Sequence, residues 1–213
     1  GDIVAVGSTI GGNIDMAVLR FDIATNNWDI AFGTGGLRTI ANANSDVAYD
    51  VKIDSNGKIV LGGFTSPSTR DFILARLNAN NGANDTAFNG GNVLVQQING
   101  FDEEIHTLTI QPDGKIVVAG YANTGANGND FIVARYTTTG SPDTTFDFDG
   151  KQIITFSGSS DVANGVAIQS DGKILTSGYA FGGFYDDYAF ARLNSDGSVD
   201  AAFGSNGKRT YDF

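Results

Sequence analysis

Residues 194–200, Asn-Ser-Asp-Gly-Ser-Val-Asp, place Asn194, Asp196, Ser198 and Asp200 at every second position around Gly197. Alternating oxygen donors with a glycine at the bend are the pattern of a calcium loop, in which hard oxygen ligands converge on one ion. The equivalent stretch one repeat earlier, Thr137–Asp143, keeps the glycine and loses most of the donors. A tight turn accounts for both stretches, calcium for only one, and no other cofactor is suggested. A second acidic cluster, Asp102, Glu103 and Glu104, reads as a solvated loop. His106 is the single histidine, and no cysteine is present. A histidine acting as general base needs a nucleophile within reach, and the local sequence offers none. Nor is there a second histidine for a metal pair or a Gly-Lys phosphate loop. The expectation is a protein without catalytic residues.

Two further sets of charged residues recur along the chain. Asp15, Asp71, Asp130 and Asp187 each stand five residues before Arg20, Arg76, Arg135 and Arg192. Each arginine lies in an apolar strand-like run, where an unpaired guanidinium would be costly, so a carboxylate partner is required. A second set, Asp29, Asp85, Asp143 and Asp200, opens the segments DIAF, DTAF, DTTF and DAAF and offers alternative partners. A catalytic group is needed once and a scaffold group in every unit, so these residues are expected to form structural ion pairs. Specific function should then sit where the units differ. The clearest difference is the stretch 178–192, GYAFGGFYDDYAFAR, where Phe181, Phe184 and Tyr185 precede Asp186. The corresponding loops of the preceding units are small and polar. Rings beside a carboxylate at a loop tip form a platform for a protein or glycan partner, or pack on a neighbouring unit.

The elements that position these groups follow from the repetition. The turn glycines Gly1, Gly57, Gly114 and Gly172 are 56, 57 and 58 residues apart, marking units 1–56, 57–113, 114–171 and 172–213. Self-similarity at such a period is the mark of a repeat array. Each unit shows four strand-like runs and no convincing helical period. Asn56-Gly57, Asp113-Gly114 and Asp171-Gly172 read as two-residue hairpin turns requiring positive φ. Four antiparallel strands per unit is the pattern of a propeller blade. The expected fold is therefore all-β: a β-propeller, or a propeller fragment, of four-stranded antiparallel blades. The array starts on the second strand of a unit and is one strand short of four blades, which favours a piece of a longer array.

With 13 basic and 24 acidic residues the net charge is −11, which repels phosphate backbones and argues against nucleic acid as a partner. No apolar run approaches the roughly 20 residues that a membrane-spanning helix needs, so no membrane insertion is expected.

The segments LNSDGSVDAAFGSNGK, SSDVANGVAIQSDGKILTSG and NDFIVARY resemble the delta-60 repeat family. That resemblance implies a propeller, export to the bacterial cell surface or the extracellular space, and no established catalytic activity. The function it favours is a non-enzymatic binding, display or adhesion module whose variable loops make the contacts. Two alternatives stay open: a self-assembling array completed by strands of neighbouring chains, and a hydrolase or lyase with its site at a propeller channel.

Overall fold

The computed structural model describes residues 2–10, 13–125, 128–156 and 160–212. They form four antiparallel sheets in chain order. The first holds β1 (Ile3–Ser8), β2 (Met16–Asp22), the two-residue β3 (Asn27–Trp28) and β4 (Leu37–Ile40). The second runs β5 (Ser45–Ile53), β6 (Ile59–Ser66), β7 (Asp71–Leu77) and β8 (Leu94–Gln96). The third runs β9 (Glu103–Ile110), β10 (Ile116–Asn123), β11 (Asn129–Tyr136) and β12 (Lys151–Ile154). The fourth runs β13 (Asp161–Ile168), β14 (Ile174–Phe181), β15 (Asp186–Leu193) and β16 (Lys208–Tyr211). No helix among the described residues is long and apolar enough to cross a membrane. The expected four-stranded antiparallel blades are thus present. Units counted from the turn glycines cut through hairpins, because β5, β9 and β13 pair with the strand that follows the glycine.

The sheets stack face to face in order. Strands β1, β5, β9 and β13 pack on one another along one edge, the inner edge, while packing between β8, β12 and β16 is much sparser. Each sheet has a front, which meets its successor, and a back, which meets its predecessor. The front of the second sheet (Val60, Phe72, Leu74) packs against the back of the third (Ile116, Val118, Ile132, Ala134). The front of the third (Val117, Phe131, Val133) packs against Ile174, Ala189 and Ala191 of the fourth. Because central strands are covered on both faces, they read as continuous apolar runs rather than alternating ones.

The hairpin turns differ in type from the expectation. Of the two central residues only the glycine has positive φ, at 76° for Gly57, 83° for Gly114 and 82° for Gly172. Gly114 N–H donates to the Gln111 carbonyl and Gln111 N–H to the Lys115 carbonyl, at 2.9 and 2.8 Å. This is a tight turn followed by a single left-handed glycine, and Pro112, with its fixed φ, favours it.

β5, β9 and β13 each carry a register shift that leaves Tyr49, His106 and Asn164 outside the ladder. The glycine across from each bulge has a steric reason. A Cβ on Gly63, Gly120 or Gly178 would lie 1.9, 1.8 or 1.9 Å from the carbonyl oxygen of Val47, Glu104 or Val162. Such a bulge re-aims one side chain per sheet.

Candidate functional site

The recurring arginines settle first. Arg76 Nε donates to Asp85 at 2.8 Å, Arg135 Nε to Asp143 at 2.7 Å and Arg192 Nε to Asp200 at 2.7 Å, and Arg20 pairs with Asp29. The second acidic set therefore supplies the partners. Among the described residues no ion pair joins these arginines to Asp15, Asp71, Asp130 or Asp187. Those aspartates stand at the start of the arginine strands β2, β7, β11 and β15 instead. Asp130, for example, accepts from Thr124 Oγ1 at 2.6 Å and Asp71 from Thr69 Oγ1 at 3.4 Å. Recurrence in every unit made both sets candidates. The turn after the arginine strand folds the second set back onto the guanidinium.

The phenylalanine that ends each DxxF segment completes the arrangement. Arg20, Arg76, Arg135 and Arg192 lie 4.9, 5.0, 4.8 and 4.8 Å from the ring centres of Phe32, Phe88, Phe146 and Phe203. A guanidinium over an aromatic face is attracted by the ring quadrupole while its edge stays free for hydrogen bonds. Lys115 adds a second cation, 3.0 Å from Asp143. Burial pushes the Asp143 carboxyl up, but bonds from Thr145 and Lys115 and the Arg135 charge outweigh that and hold it far below the usual range.

These units also fasten successive sheets. Arg76 Nη1 donates to the Thr138 carbonyl at 2.7 Å, and Arg135 Nη1 to that of Ser195 at 2.6 Å, both acceptors lying in the next sheet's turn. Backbone N–H groups of Gly33, Asn89 and Asp147 donate to the carbonyls of Asn81, Thr139 and Asp196 at 3.0, 2.9 and 2.7 Å. The ring of Phe32, Phe88 or Phe146 rests against Gly82, Gly140 or Gly197, where a Cβ would come within 3.0, 3.1 or 2.8 Å.

Gly197 belongs to the calcium-like stretch, where Asp196 Oδ1 and Ser198 Oγ are engaged within the turn. Asp196 Oδ1 accepts from Ser198 N–H at 3.0 Å and Ser198 Oγ at 2.6 Å, and Asn194 Nδ2 donates to Ser198 Oγ at 3.0 Å. Asp200 Oδ2 faces Arg192 and Lys173, at 2.7 and 2.8 Å, so a further cation there would meet two positive charges.

The acidic stretch 102–104 departs from its expected role, since Glu103 and Glu104 are buried rather than solvated. Glu103 heads β9 as Asp46 heads β5 and Asp161 heads β13, all fully buried. Its Oε1 accepts the Asn99 N–H at 3.1 Å, which ties down the incoming loop. Burial, opposed by that bond and reinforced by Asp71 and Asp102, raises its pKa to about 7.

Glu104 does not recur; Val47 and Val162 occupy its place. One carboxylate oxygen accepts from Arg70 and from Tyr121 Oη at 2.8 Å, and the other faces His106 Nε2 at 3.2 Å. His106 Nδ1 lies 2.8 Å from Asn164 Oδ1, while Tyr49 packs edge-on against the imidazole at 5.3 Å. Burial lowers the His106 pKa, but the bonds to Glu104 and Asn164 outweigh it and leave the group above its ordinary value. Burial raises that of Glu104, and His106, Tyr121 and Arg70 together bring it below the usual range. With both oxygens and both nitrogens engaged, the cluster cross-links the second, third and fourth sheets through one charge network. The sequence signal for it was Glu104 standing where its counterparts are valines.

The aromatic stretch divides in two. Phe181 and Asp186 pair across the β14–β15 hairpin, while Phe184 and Tyr185 project from its tip, 92% and 84% exposed. Nearby, Tyr179, Tyr188 and Phe190 line a groove of about 420 Å³ on the front of the fourth sheet, with Asn164 and Ser177.

No curated protein matches the chain. Residues 55–88, 111–146 and 169–203 each match a family described as Domain of unknown function (DUF5122) beta-propeller. Each match opens in the hairpin turn, crosses the arginine strand and stops at the DxxF phenylalanine, once in each of the second, third and fourth sheets, so three stretches of this β-propeller-type chain are similar to that family.

Proposed function

We propose that this chain is a non-enzymatic binding and display module of a protein exported to the bacterial cell surface or beyond. The observation that carries the reading is the β14–β15 tip, where Phe184 and Tyr185 are almost fully exposed beside Asp186. The equivalent β6–β7 connection has Pro67, Ser68, Thr69 and Arg70, the arginine being tied to Glu104, and β10–β11 has Thr124, Gly125 and Gly128 among its described residues, so neither presents an aromatic ring. A rigid repeated scaffold with chemistry confined to one loop is how binding surfaces are commonly built. Two rings with a carboxylate at their base fit a glycan or a protein bearing basic side chains, and the net charge of −11 favours cationic partners over phosphate backbones. The resemblance to delta-60 repeats supports the exported setting.

The test is calorimetric titration of the chain with chitohexaose and, separately, with a lysine-rich peptide. Binding of one probe is expected, weakened about tenfold or more in the double variant Phe184→Ala/Tyr185→Ala. Silence with both probes, or unchanged affinity in the double variant, would remove the support for this loop as the contact surface.

A further inference from the structure

The first three sheets each carry a successor on their front, where the Phe–Gly contact and the backbone hydrogen bond recur each time and the arginine–carbonyl bond at the second and third junctions. The fourth sheet carries the same receiving parts. Phe203 follows Phe32, Phe88 and Phe146 in the DxxF position, yet it is half-buried where they are at most 1% exposed. The Arg192 side chain is 24% exposed, against 10% and 6% for Arg76 and Arg135, which reach the next sheet's carbonyls. Gly204, the counterpart of the backbone donors Gly33, Asn89 and Asp147, is exposed. Beside them Phe190 is half-buried, whereas its counterparts Leu74 and Val133 are 1% and 0% exposed.

We infer that the front of the fourth sheet is a docking site for a further complete sheet of this same repeat, joined in register after β16. Continuity with three established interfaces of this molecule identifies the occupant. What Phe203 and Arg192 lack is a glycine turn preceded by free carbonyls, and what the groove over Tyr179 lacks is an inner strand like β9 or β13.

The front is not matched to the first sheet of a second copy. The position of Gly82 is taken there by Asn26, which holds the positive φ of 55° but brings a Cβ. At the other junctions such a Cβ falls 2.8 to 3.1 Å from the ring. Among the described residues, moreover, no strand lies inside β1 to fill the groove. The first unit also lies outside the three family matches. Head-to-tail addition of whole chains would generate a closed ring or an open polymer, and the first sheet opposes either.

The experiment extends the full chain by one unit, a second copy of the sequence of residues 157–213 placed after Phe213. Because the chain has no cysteine, Ser177→Cys on the fourth sheet's front gives a single maleimide reporter, with Ser55→Cys as a remote control. Extension should slow labelling at Ser177→Cys about tenfold or more, since reaction then needs the new sheet to open, and leave Ser55→Cys unchanged. Replacing the appended counterpart of Gly197 by Asn should restore most of the labelling rate. Unchanged labelling overturns the proposal, whether or not the appended unit protects its own amides, because a lone repeat sheet depends on its neighbour for a core. Labelling of the unextended chain that slows as its concentration rises would also overturn it, in favour of a second copy.

Discussion

The fronts of the third and fourth sheets are made of the same parts and differ in what lies on them. On the third, Arg135 reaches the carbonyl of Ser195, and Phe146 is sealed beneath Gly197. On the fourth, Arg192 and Phe203 hold nearly the same mutual distance, 4.8 Å, with part of each open to solvent. The arginine–aspartate–phenylalanine group is therefore assembled within its own sheet before any neighbour arrives. A neighbour adds burial and two hydrogen bonds. The difference separates what makes a blade from what joins blades.

The comparison is probed most strongly by truncating the ring. Phe146→Ala should cost about 4 kcal/mol, whereas Phe203→Ala should cost about 1 kcal/mol, because only the former opens a cavity between sheets. Equal losses in denaturant titrations would mean that burial by the neighbour adds nothing. Removing the carboxylate comes next. Asp143→Ala leaves Arg135 buried and unpaired and should cost about 3 kcal/mol. At Asp200→Ala the freed Arg192 reaches water, and the loss should be clearly smaller. Matching values would show that the guanidinium is not desolvated by the next sheet.

A third effect, spread over pH, concerns the carboxyl group at the joint itself. Glu103 N–H donates to the Arg70 carbonyl of the preceding sheet at 2.7 Å, so this residue is placed only where two sheets meet. Its folded pKa, about 7, lies above the ordinary 4.5, so the folded chain keeps a proton that the unfolded chain releases. Stability held below pH 4.5 is therefore lost as the pH rises towards 7, and Glu103→Gln should remove that loss. The variant should match the parent at pH 4 and exceed it by about 3 kcal/mol at pH 8, measured by denaturant titration at both values. A difference between variant and parent that is flat across this range would show that Glu103 is hydrated in the folded state.

Much of this architecture was legible in the residue order. Recurrence at a fixed period disclosed the blades, and the same recurrence marked Arg20, Arg76, Arg135 and Arg192 as scaffold. Which aspartate they take was not legible, because Asp130 and Asp143 stand at comparable separations from Arg135 and only the intervening turn decides between them. Glu104 was misread for a related reason. Its partners Arg70 and Tyr121 come from a neighbouring sheet's loop and a neighbouring strand, and an isolated run of acids otherwise has the look of a wet loop. The bulge at His106 left no mark in the alternation, though the glycine opposite it recurs as Gly63, Gly120 and Gly178.

That bulge gives the molecule a writable position. Tyr49, His106 and Asn164 stand outside the ladder, so no backbone pairing depends on their identity. The glycines across from them tolerate no other residue without moving a carbonyl. Every sheet added to such a stack contributes one letter beside the last, free of the backbone ladder and read by its neighbours' side chains, on a line ruled by an unchanging glycine. Here the word reads tyrosine, histidine, asparagine. Its chemistry can be rewritten one sheet at a time while the page that carries it stays the same.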